Sequence, residues 1–360
     1  MNNIYPLFQT VNETYPINHI AKELGLHIGT VKRWVEKEDV PSSYYFDLCR
    51  IAGIEVDYSK HTEKEKDQFF TNKETAKYCY DKCHEILMSH GIDLRGYNYI
   101  EPSAGDGSFY TLMPEDRRVG VDIEPQCAGV IQADFLQWRP DTEKNIIIGN
   151  PPFGLRGNLA LKFINHAAEF ADFVCFIVPQ LFDSNGKGSC KSRVKGYNLI
   201  HSEVIDSSFY YPGGTDVEVN CVFQIWSKLH ESTEEKVNLN NIIKIYSLSD
   251  GGTPGSTRNQ KHLYSCDYYL PSTCFKEMEV KTHFEDLPHR RGYGIVSLID
   301  KQIMDSVMSE INWEEVSFKS TNGALNLRFD IIEKSIWDRL PVTVREQDTI
   351  ACNPLLDALS

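Results

Sequence analysis

Residues 146–154 read IIIGNPPFG and place one amide and one aromatic side chain directly after an apolar run. The three isoleucines predict a buried β-strand, and Gly149 allows the chain to turn after it. Pro151 and Pro152 remove two backbone donors and fix two φ angles. The turn therefore offers two fixed hydrogen-bond acceptors, the Asn150 side-chain oxygen and the Pro151 carbonyl, with no competing backbone N–H.

Two such acceptors suit an exocyclic amino group that attacks a methyl group. The amine becomes pyramidal and gains positive charge in the transition state, which both oxygens would stabilise. A general base is not required before the attack, because the proton can leave afterwards. Phe153 adds a flat face on which a base turned out of its helix could stack. We therefore predict a catalytic group made of Asn150, Pro151, Pro152 and Phe153.

A glycine-rich turn follows an earlier predicted strand. Residues 101–109 read EPSAGDGSF, and Gly105 and Gly107 permit a tight turn whose backbone lies close to a ligand. Ligands of open α/β sheets bind at the carboxyl ends of the strands, where this turn lies. The glycines do not form GxGxxG, and no phosphate-loop lysine follows them.

Acidic residues at the ends of three predicted strands define the ligand further. Glu101 ends the first strand and can hold an ammonium group, and Asp122 ends the second and can accept from ribose hydroxyls. Asp134 ends the third and can accept from an exocyclic amine, with Phe135 against the ring. A ligand with an amino group, a ribose and an adenine but no phosphate is S-adenosylmethionine, which we predict as the cofactor. Any one of these acids alone could be an ordinary solvated residue at a strand end.

The elements that position these residues alternate between strands and helices over residues 61–230. Seven apolar segments predict an α/β domain with a seven-stranded, doubly wound, Rossmann-like sheet whose last strand runs antiparallel. Only EPQCAG separates the second strand from the third, which is too short for the usual crossover helix. A small all-α domain is predicted over residues 1–60, and a mixed region over residues 231–360.

Residues 17–36 have the apolar spacing of a helix-turn-helix, with Gly25 at the turn. On this interpretation, four side chains of the second helix contact DNA, namely Thr30, Lys32, Arg33 and Lys37. Residues 1–60 hold six Lys/Arg against eight Asp/Glu. A helical bundle for protein contacts therefore remains the alternative.

The order of these motifs resembles the γ arrangement of the amino-methylating, adenine-N6 DNA methyltransferases. DQFFTNKETAKYC, at residues 67–79, is similar to the family's first cofactor motif, with Phe70 and Thr71 at the methionine end. EPSAGDG matches the cofactor loop, GVDIEP the ribose acid, ADFLQW the adenine acid and NPPF the catalytic motif. The resemblance covers about residues 62–230, and an N-terminal helix-turn-helix is a less usual attachment. The cofactor-binding residues that it implies are Phe70, Thr71, Glu101, Pro102, Ser103, Gly105, Gly107, Asp122, Ile123, Asp134, Phe135 and Asn150.

Two basic segments are candidates for contacts with the DNA backbone. NGKGSCKSRVKG, at residues 185–196, carries four cations and no acid, and HRRGYG, at residues 289–294, is a second segment. The predicted nucleic-acid contacts are Lys32, Arg33, Lys187, Lys191, Arg193, Lys195, Arg290 and Arg291. A second ring beside the flipped base could come from Phe209, Tyr210 or Tyr211, and the pattern does not choose among them.

Several functions share this chemistry. An adenine-N6 DNA methyltransferase, of restriction-modification, orphan or phage type, accounts for the sheet, the tetrapeptide, the C-terminal region and the helix-turn-helix. The alternatives are an RNA adenine-N6 methyltransferase, a glutamine-N5 protein methyltransferase, a cytosine-N4 methyltransferase, and a helix-turn-helix regulator with an inactive methyltransferase core. The net charge of −14 argues against nucleic-acid binding over the whole surface, but it permits a local basic cleft.

The composition is that of a globular cytoplasmic protein. The 360 residues are 41% hydrophobic, without an apolar stretch of membrane-spanning length or a signal-peptide pattern at the N-terminus. Ten scattered cysteines without CxxC fit a reducing compartment and predict neither disulfides nor a metal site. The expected partners are double-stranded DNA and a cognate restriction endonuclease.

Overall fold

The computed structural model describes most of the chain in two compact units. The first comprises residues 1–182 and 193–233, and the second comprises residues 183–192 and 234–360. The described residues are 3–62, 65–66, 68–184, 189–205, 208–233, 237, 239–249, 265–282, 291–319 and 324–345.

Four short helices open the first unit. They are α1 (Tyr5–Thr14), α2 (Ile17–Glu23), α3 (Ile28–Lys37) and α4 (Tyr45–Ala52). Their buried apolar side chains include Phe8, Ile20, Val31 and Leu48, and together they form one small core. Gly53 ends α4 with a φ of 66°, a left-handed conformation that glycine adopts without steric cost.

Ten strands and two further α-helices follow in the first unit. The strands are β1 (Phe70–Thr71), β2 (Asn98–Glu101), β3 (Arg118–Asp122), β4 (Ile131–Gln132), β5 (Asn145–Gly149), β6 (Phe173–Pro179), β7 (Asn198–Ile205), β8 (Ser208–Tyr210), β9 (Asp216–Glu218) and β10 (Cys221–Ser227). The helices are α5 (Lys73–Ser89) and α6 (Asn158–Ala167).

Seven of these strands form the predicted sheet, in the order β4-β3-β2-β5-β6-β10-β7. Strands β2 to β6 pair in parallel, whereas β10 is antiparallel to both β6 and β7. The predicted α/β fold with a reversed last strand is therefore confirmed. The remaining strands β1, β8 and β9 form a small antiparallel sheet.

The connection between β3 and β4 contains no helix, as its length predicts. The eight intervening residues 123–130 form bends and turns, and Val121 still pairs in parallel with Ile131. Strand β4 is reduced to two residues at the edge of the sheet. A connection this short can return the chain in the same direction only because β4 begins opposite the end of β3.

Helix α5 covers one face of the sheet with side chains that lie one turn apart. Cys79, Cys83 and Leu87 share a core with alternate strand residues such as Ile146 and Ile148. The Asn72 side chain caps α5 by accepting a hydrogen bond from the Glu74 amide at 2.9 Å. Helix α6 packs against β6. Each described cysteine is a free thiol.

The second unit is mixed and has its own core. Its strands β11 (Ile243–Leu248), β14 (Gly292–Ser297) and β12 (Tyr268–Pro271) form one sheet, and β13 (Thr273–Cys274), β16 (Leu325–Asn326) and β15 (Phe318–Lys319) form another. Its helices are α7 (Lys301–Glu310), α8 (Trp313–Val316) and α9 (Phe329–Arg339). Within the described residues, no helix has the length and apolar character needed to cross a membrane.

Candidate active site

The glycine-rich turn after β2 packs tightly beneath an aromatic ring. Gly105 has a φ of 48° and Gly107 a φ of 85°, values that L-residues rarely adopt. A Cβ added at Gly105 would lie 2.7 Å from Cε1 of Phe70. Both the conformation and the close approach of Phe70 therefore require glycine here.

Glu101 is buried at the start of this turn. Glu101 is only 3% exposed, and its Oε2 accepts a hydrogen bond from the Tyr110 amide at 2.5 Å. Burial raises the pKa of this carboxyl well above its usual range, although the backbone hydrogen bonds oppose the shift. An ammonium group would reverse the shift, because it stabilises the carboxylate directly.

Asp122 joins two loops at the carboxyl edge of the sheet. Its Oδ2 accepts from the Gly105 amide at 2.8 Å, and its Oδ1 accepts from the Glu124 amide at 2.7 Å. Burial raises the pKa of this carboxyl, and the two backbone hydrogen bonds lower it. Each carboxylate oxygen has a second lone pair, so both can still accept from ribose hydroxyls.

The residues expected at the adenine ring differ in exposure. Asp134 accepts from the Leu136 amide at 3.0 Å and from Nε2 of Gln137 at 3.2 Å, which holds its carboxylate at the end of the turn. Phe135 is buried, with its ring centroid 5.1 Å from that of Phe163. Ile123 is 38% exposed and offers a free apolar surface.

The Asn-Pro-Pro-Phe turn follows β5 directly and is tied to the cofactor loop. Ser103 Oγ donates to the Asn150 carbonyl oxygen at 3.0 Å. Asn150 Oδ1 is buried, and among the described residues it has no hydrogen-bond partner. Phe153 is 6% exposed, and its ring meets Phe69 edge to face at 5.2 Å.

The chain beyond this turn has an uncommon backbone conformation. Gly154 has a φ of 64°, and Arg156 has a φ of 54° although it is not a glycine. A left-handed non-glycine residue costs on the order of 1–3 kcal/mol, and such residues cluster at functional sites. Arg156 is exposed. Burial raises the pKa of Tyr44 in the N-terminal helices, and the positive charge of Arg156 opposes this shift.

A single cavity of about 930 Å³ joins these elements. That volume is near the upper end of the roughly 300–1,000 Å³ of small-molecule sites. Of the residues predicted for cofactor and catalysis, those that line it are Phe70, Pro102, Ser103, Gly105, Asp122, Ile123, Asp134, Phe135, Asn150, Pro151 and Pro152. Thr71, Glu101, Gly107 and Phe153 lie behind this lining. The carboxylates, the open Ile123 surface and the unpartnered amide oxygen fit the donors and ring of S-adenosylmethionine.

The N-terminal helices contribute a part of the cavity wall that sequence reasoning missed. Tyr45, Phe46, Tyr58 and His61 all line the cavity. Residues 44–61 hold more aromatic side chains than a small helical core needs, and this excess was the feature of the sequence that could have predicted the cavity wall.

The predicted nucleic-acid contacts fall into three groups. Lys32, Arg33 and Lys195 are exposed in the first unit, Arg193 is half-buried, and Arg291 is exposed in the second unit. Lys191 is 7% exposed, so its side chain is covered rather than presented to solvent. Lys187 and Arg290 lie outside the described residues.

The turn between α2 and α3 lies against the start of α6. Gly25 has a φ of 63°, and a Cβ added there would lie 2.7 Å from Asn158 Oδ1 and 3.1 Å from Nη1 of Arg193. Asn158 Nδ2 also donates to the Glu23 carbonyl at 3.4 Å. The N-terminal helices are therefore packed against the element that follows the Asn-Pro-Pro-Phe turn.

The three aromatic residues proposed as a second stacking ring have different surroundings. Phe209 is buried, with its ring 5.2 Å from that of Phe69. The Tyr210 hydroxyl donates a short hydrogen bond to Asp106, and burial together with this bond raises the pKa of Tyr210 to about 12. Tyr211 is partly exposed. Phe209 is thus the least accessible of the three.

Comparison with known proteins identifies methyltransferases. Residues 128–232 match the EDM2 methyltransferase-like domain family. The type II methyltransferase M.TthHB8I of Thermus thermophilus is 35% identical over 83 residues, which make up 20% of this chain and 19% of that protein. M.CvrRI of Paramecium bursaria Chlorella virus XZ-6E, also a type II methyltransferase, is 29% identical over 111 residues, or 27% of each protein. The chain thus spans 19% and 27% of the lengths of these relatives.

Solved structures of two methyltransferases are distantly similar. Magnesium protoporphyrin IX methyltransferase of Synechocystis PCC 6803, with bound S-adenosylmethionine, is 13% identical with a TM-score of 0.32, covering 52% of this chain and 98% of that one. The 23S rRNA methyltransferase ErmE is 16% identical with a TM-score of 0.31, covering 47% and 73%.

The mixed seven-stranded sheet with a cavity at its carboxyl edge is a Rossmann-like fold. Residues 128–232, which include β4 to β10 of this unit, are similar to a methyltransferase-like domain.

Proposed function

We propose that this protein is an S-adenosylmethionine-dependent methyltransferase that acts on DNA and methylates the exocyclic N6 of an adenine that is turned out of the duplex. The observation that carries this proposal is the state of Asn150. Its Oδ1 is buried and lacks a hydrogen-bond partner among the described residues, although Asn150 lines the cavity. Pro151 and Pro152, which follow it, have no N–H to offer this oxygen.

An unpartnered buried acceptor has an energetic consequence. Leaving such a group unsatisfied costs about 1–3 kcal/mol, so native proteins rarely retain one without a reason. A target amino group supplies the missing donor. The cost is then removed when the substrate binds, and most fully as the amine gains positive charge.

The other residues of the cavity hold and orient the reacting groups. When bound, S-adenosylmethionine supplies an electrophilic methyl group. Asp122 and Asp134 would accept from its ribose hydroxyls and adenine amine. Glu101 is buried and does not line the cavity, so it would hold the ammonium group only if the turn at residues 102–105 moves aside. Ser103 fixes the carbonyl of Asn150, so the amide is positioned before the substrate arrives. Phe153 is covered by Phe69, so a base can stack on it only if this edge-to-face contact opens.

DNA as the substrate is supported by exposed cations and by the type II relatives. Lys32 and Arg33 are exposed on α3, the second helix of the predicted helix-turn-helix. Arg193 lies beside its turn at Gly25. We propose that these residues contact phosphates, and that residues 231–360 take part in recognition of the target sequence. A restriction endonuclease is the partner that a type II methyltransferase would accompany.

The proposal is tested by identifying the methylated product. The protein is incubated with S-adenosylmethionine and, in separate reactions, with duplex DNA of mixed sequence, ribosomal RNA and a glutamine-containing protein extract. Nucleosides and amino acids are then measured by mass spectrometry. N6-methyladenine in DNA alone supports the proposal. N6-methyladenosine confined to RNA, N4-methylcytosine or N5-methylglutamine would each replace it with the corresponding alternative.

A further inference from the structure

The cofactor cavity is bounded on one side by an aromatic cluster from α4 and the segment that follows it. The cluster consists of Tyr45, Phe46, Tyr58 and His61, each of which lines the cavity. The rings of Phe46 and Tyr58 are nearly parallel, with an interplanar angle of 7° and a centroid distance of 5.7 Å. His61 meets Phe46 at 4.8 Å and Tyr45 at 5.2 Å. These contacts make the cluster one rigid surface.

Two observations place this cluster at the ribose and adenine end of the cavity. Lys66 pairs with Glu124 at 2.9 Å, with both side chains partly buried, which ties the segment after the cluster to the loop that follows Asp122. Tyr58 and Asp134, the residue expected to accept from the adenine amine, also line the same cavity. Burial raises the pKa of Tyr58, the charge of Arg50 opposes the shift and the carboxylate of Asp134 adds to it.

The facing wall is apolar and open. Ile123 is 38% exposed although it lines the cavity between Asp122 and Glu124. A flat heteroaromatic ring held by Asp134 would cover Ile123 on one face, and it would need a second surface on the other. The cluster supplies aromatic faces of the right chemistry, and Phe135 lies deeper in the core.

We propose that Tyr58, supported by Phe46, is a cofactor-binding residue that stacks on the adenine ring, so that the N-terminal helical segment forms part of the cofactor site. This inference concerns the cofactor and does not depend on which molecule accepts the methyl group. It assigns the segment a further role, beside the contacts with DNA or with protein that the sequence predicts for residues 1–60.

Calorimetry on the full chain without nucleic acid tests this role. The ligands are S-adenosylhomocysteine and 5′-methylthioadenosine, which lacks the amino-acid portion. Tyr58→Ala should weaken both by about ten- to a hundredfold, because the stacking of a base on an aromatic ring contributes roughly 1–3 kcal/mol. Tyr58→Phe, which keeps the ring, should bind both ligands within about threefold of wild type. Asp134→Ala, which removes the acceptor for the adenine amine, is the reference variant for loss of an adenine contact and should also weaken both ligands.

Tyr15→Ala is the matched control. Tyr15 is also a partly buried tyrosine of the N-terminal helices, stacked on His19 at 4.9 Å, but it lies outside the cavity lining. It should leave both affinities unchanged. Tyr58→Leu keeps an apolar side chain if Tyr58→Ala does not fold, and it should still weaken both ligands. Wild-type affinity in folded Tyr58→Leu would overturn the proposal, as would equal losses in Tyr58→Phe and Tyr58→Ala, which would assign the effect to the hydroxyl.

Discussion

Ser103 Oγ donates a hydrogen bond to the Asn150 carbonyl oxygen at 3.0 Å and so joins the glycine-rich turn after β2 to the Asn-Pro-Pro-Phe turn after β5. The two residues follow adjacent parallel strands, β2 and β5, whose carboxyl ends meet at the same edge of the sheet. This bond holds the Asn150 backbone, which leaves the side-chain amide as the group that a substrate can engage.

Asn150→Ala should impair the chemical step far more than cofactor binding. Loss of one preorganised polar contact costs about 3–4 kcal/mol, or a hundred- to thousandfold in rate. Single-turnover methylation of duplex DNA, measured beside calorimetry with S-adenosylhomocysteine, separates the two effects. Asn98→Ala, at the opposite end of β2, is the control and should keep the wild-type rate. If Asn150→Ala reacted within about threefold of wild type, a difference under about 1 kcal/mol, the catalytic role would be wrong.

Glu101→Gln should stabilise the ligand-free protein at neutral pH while weakening cofactor binding. Burial raises the pKa of Glu101 in the folded chain above its unfolded value, so the folded state binds the proton more tightly. Stability therefore falls as pH rises from the unfolded pKa, about 4.3, through the folded pKa, and a neutral glutamine avoids this loss. We expect the thermal midpoint of the variant to exceed that of wild type by at least about 2 °C at pH 8, and by less at pH 4.

Two measurements check this prediction about Glu101. Thermal unfolding across the pH range should show the gap between variant and wild type widening with pH, whereas exposed Glu115→Gln should show none. Calorimetry should show at least about tenfold weaker binding of S-adenosylhomocysteine, since the ammonium loses a charged partner. A variant less stable than wild type at pH 8 would mean that the carboxylate form is stabilised in the fold.

Replacing Lys32 and Arg33 together by alanine should weaken DNA binding in a salt-dependent way. If each contacts one phosphate, the slope of log affinity against log salt should become shallower by about 1.8, at about 0.9 per contact. Fluorescence anisotropy with a labelled duplex at several salt concentrations measures this slope. The control removes two cations from α5, Lys77 and Lys82, and should leave the slope unchanged. An unchanged slope in the Lys32 and Arg33 variant would favour protein contacts for α3.

Gly25→Ala should destabilise the protein more than Gly53→Ala does. Both glycines have nearly the same φ, 63° and 66°, so the left-handed conformation costs each alanine about 1–2 kcal/mol. A Cβ at Gly25 would also lie 2.7 Å from Asn158 Oδ1, whereas no described atom lies within 4 Å of a Cβ at Gly53. Displacing Asn158 sacrifices its bond to Glu23, a further loss of about 1 kcal/mol.

Urea unfolding of the two glycine variants measures this difference. In an Asn158→Ala background most of the extra cost of Gly25→Ala should disappear, because the clashing oxygen is gone and only Nη1 of Arg193, at 3.1 Å, must shift by a few tenths of an ångström. Equal costs of the two glycine substitutions in the wild-type background would show that the turn between α2 and α3 does not need to fit closely against α6.

The sheet was predictable because its strands are short, apolar and separated by recognisable turns. The missing helix between β3 and β4 was predictable as well, since EPQCAG is too short to form one. The antiparallel direction of β10 followed from the likeness to wound sheets with a reversed last strand. In each case the residues that form the sequence pattern are the same residues that form the predicted strand or connection.

Contacts between segments that are distant in the chain could not be predicted from local sequence patterns. Tyr45 and Phe46 sit on a short helix whose neighbours Leu48 and Cys49 are core residues, so their apolar character predicts core packing equally well. A charged side chain can also be covered, as Lys191 is, because a basic pattern predicts charge but not exposure. The wall of the cavity formed by the N-terminal helices depends on tertiary packing that local periodicity does not encode.

The position of β10 between β6 and β7 sets an order for folding during synthesis. Strand β6 ends at Pro179, but the strand that pairs with its outer edge is complete only at Ser227. At roughly 5–20 residues per second, the apolar edge of β6 stays unpaired for several seconds after it leaves the ribosome. During that interval β7 can pair with β6 only in a wrong arrangement that β10 must later displace. Slow elongation or a destabilised β10 would therefore expose an aggregation-prone edge before the catalytic cavity is complete.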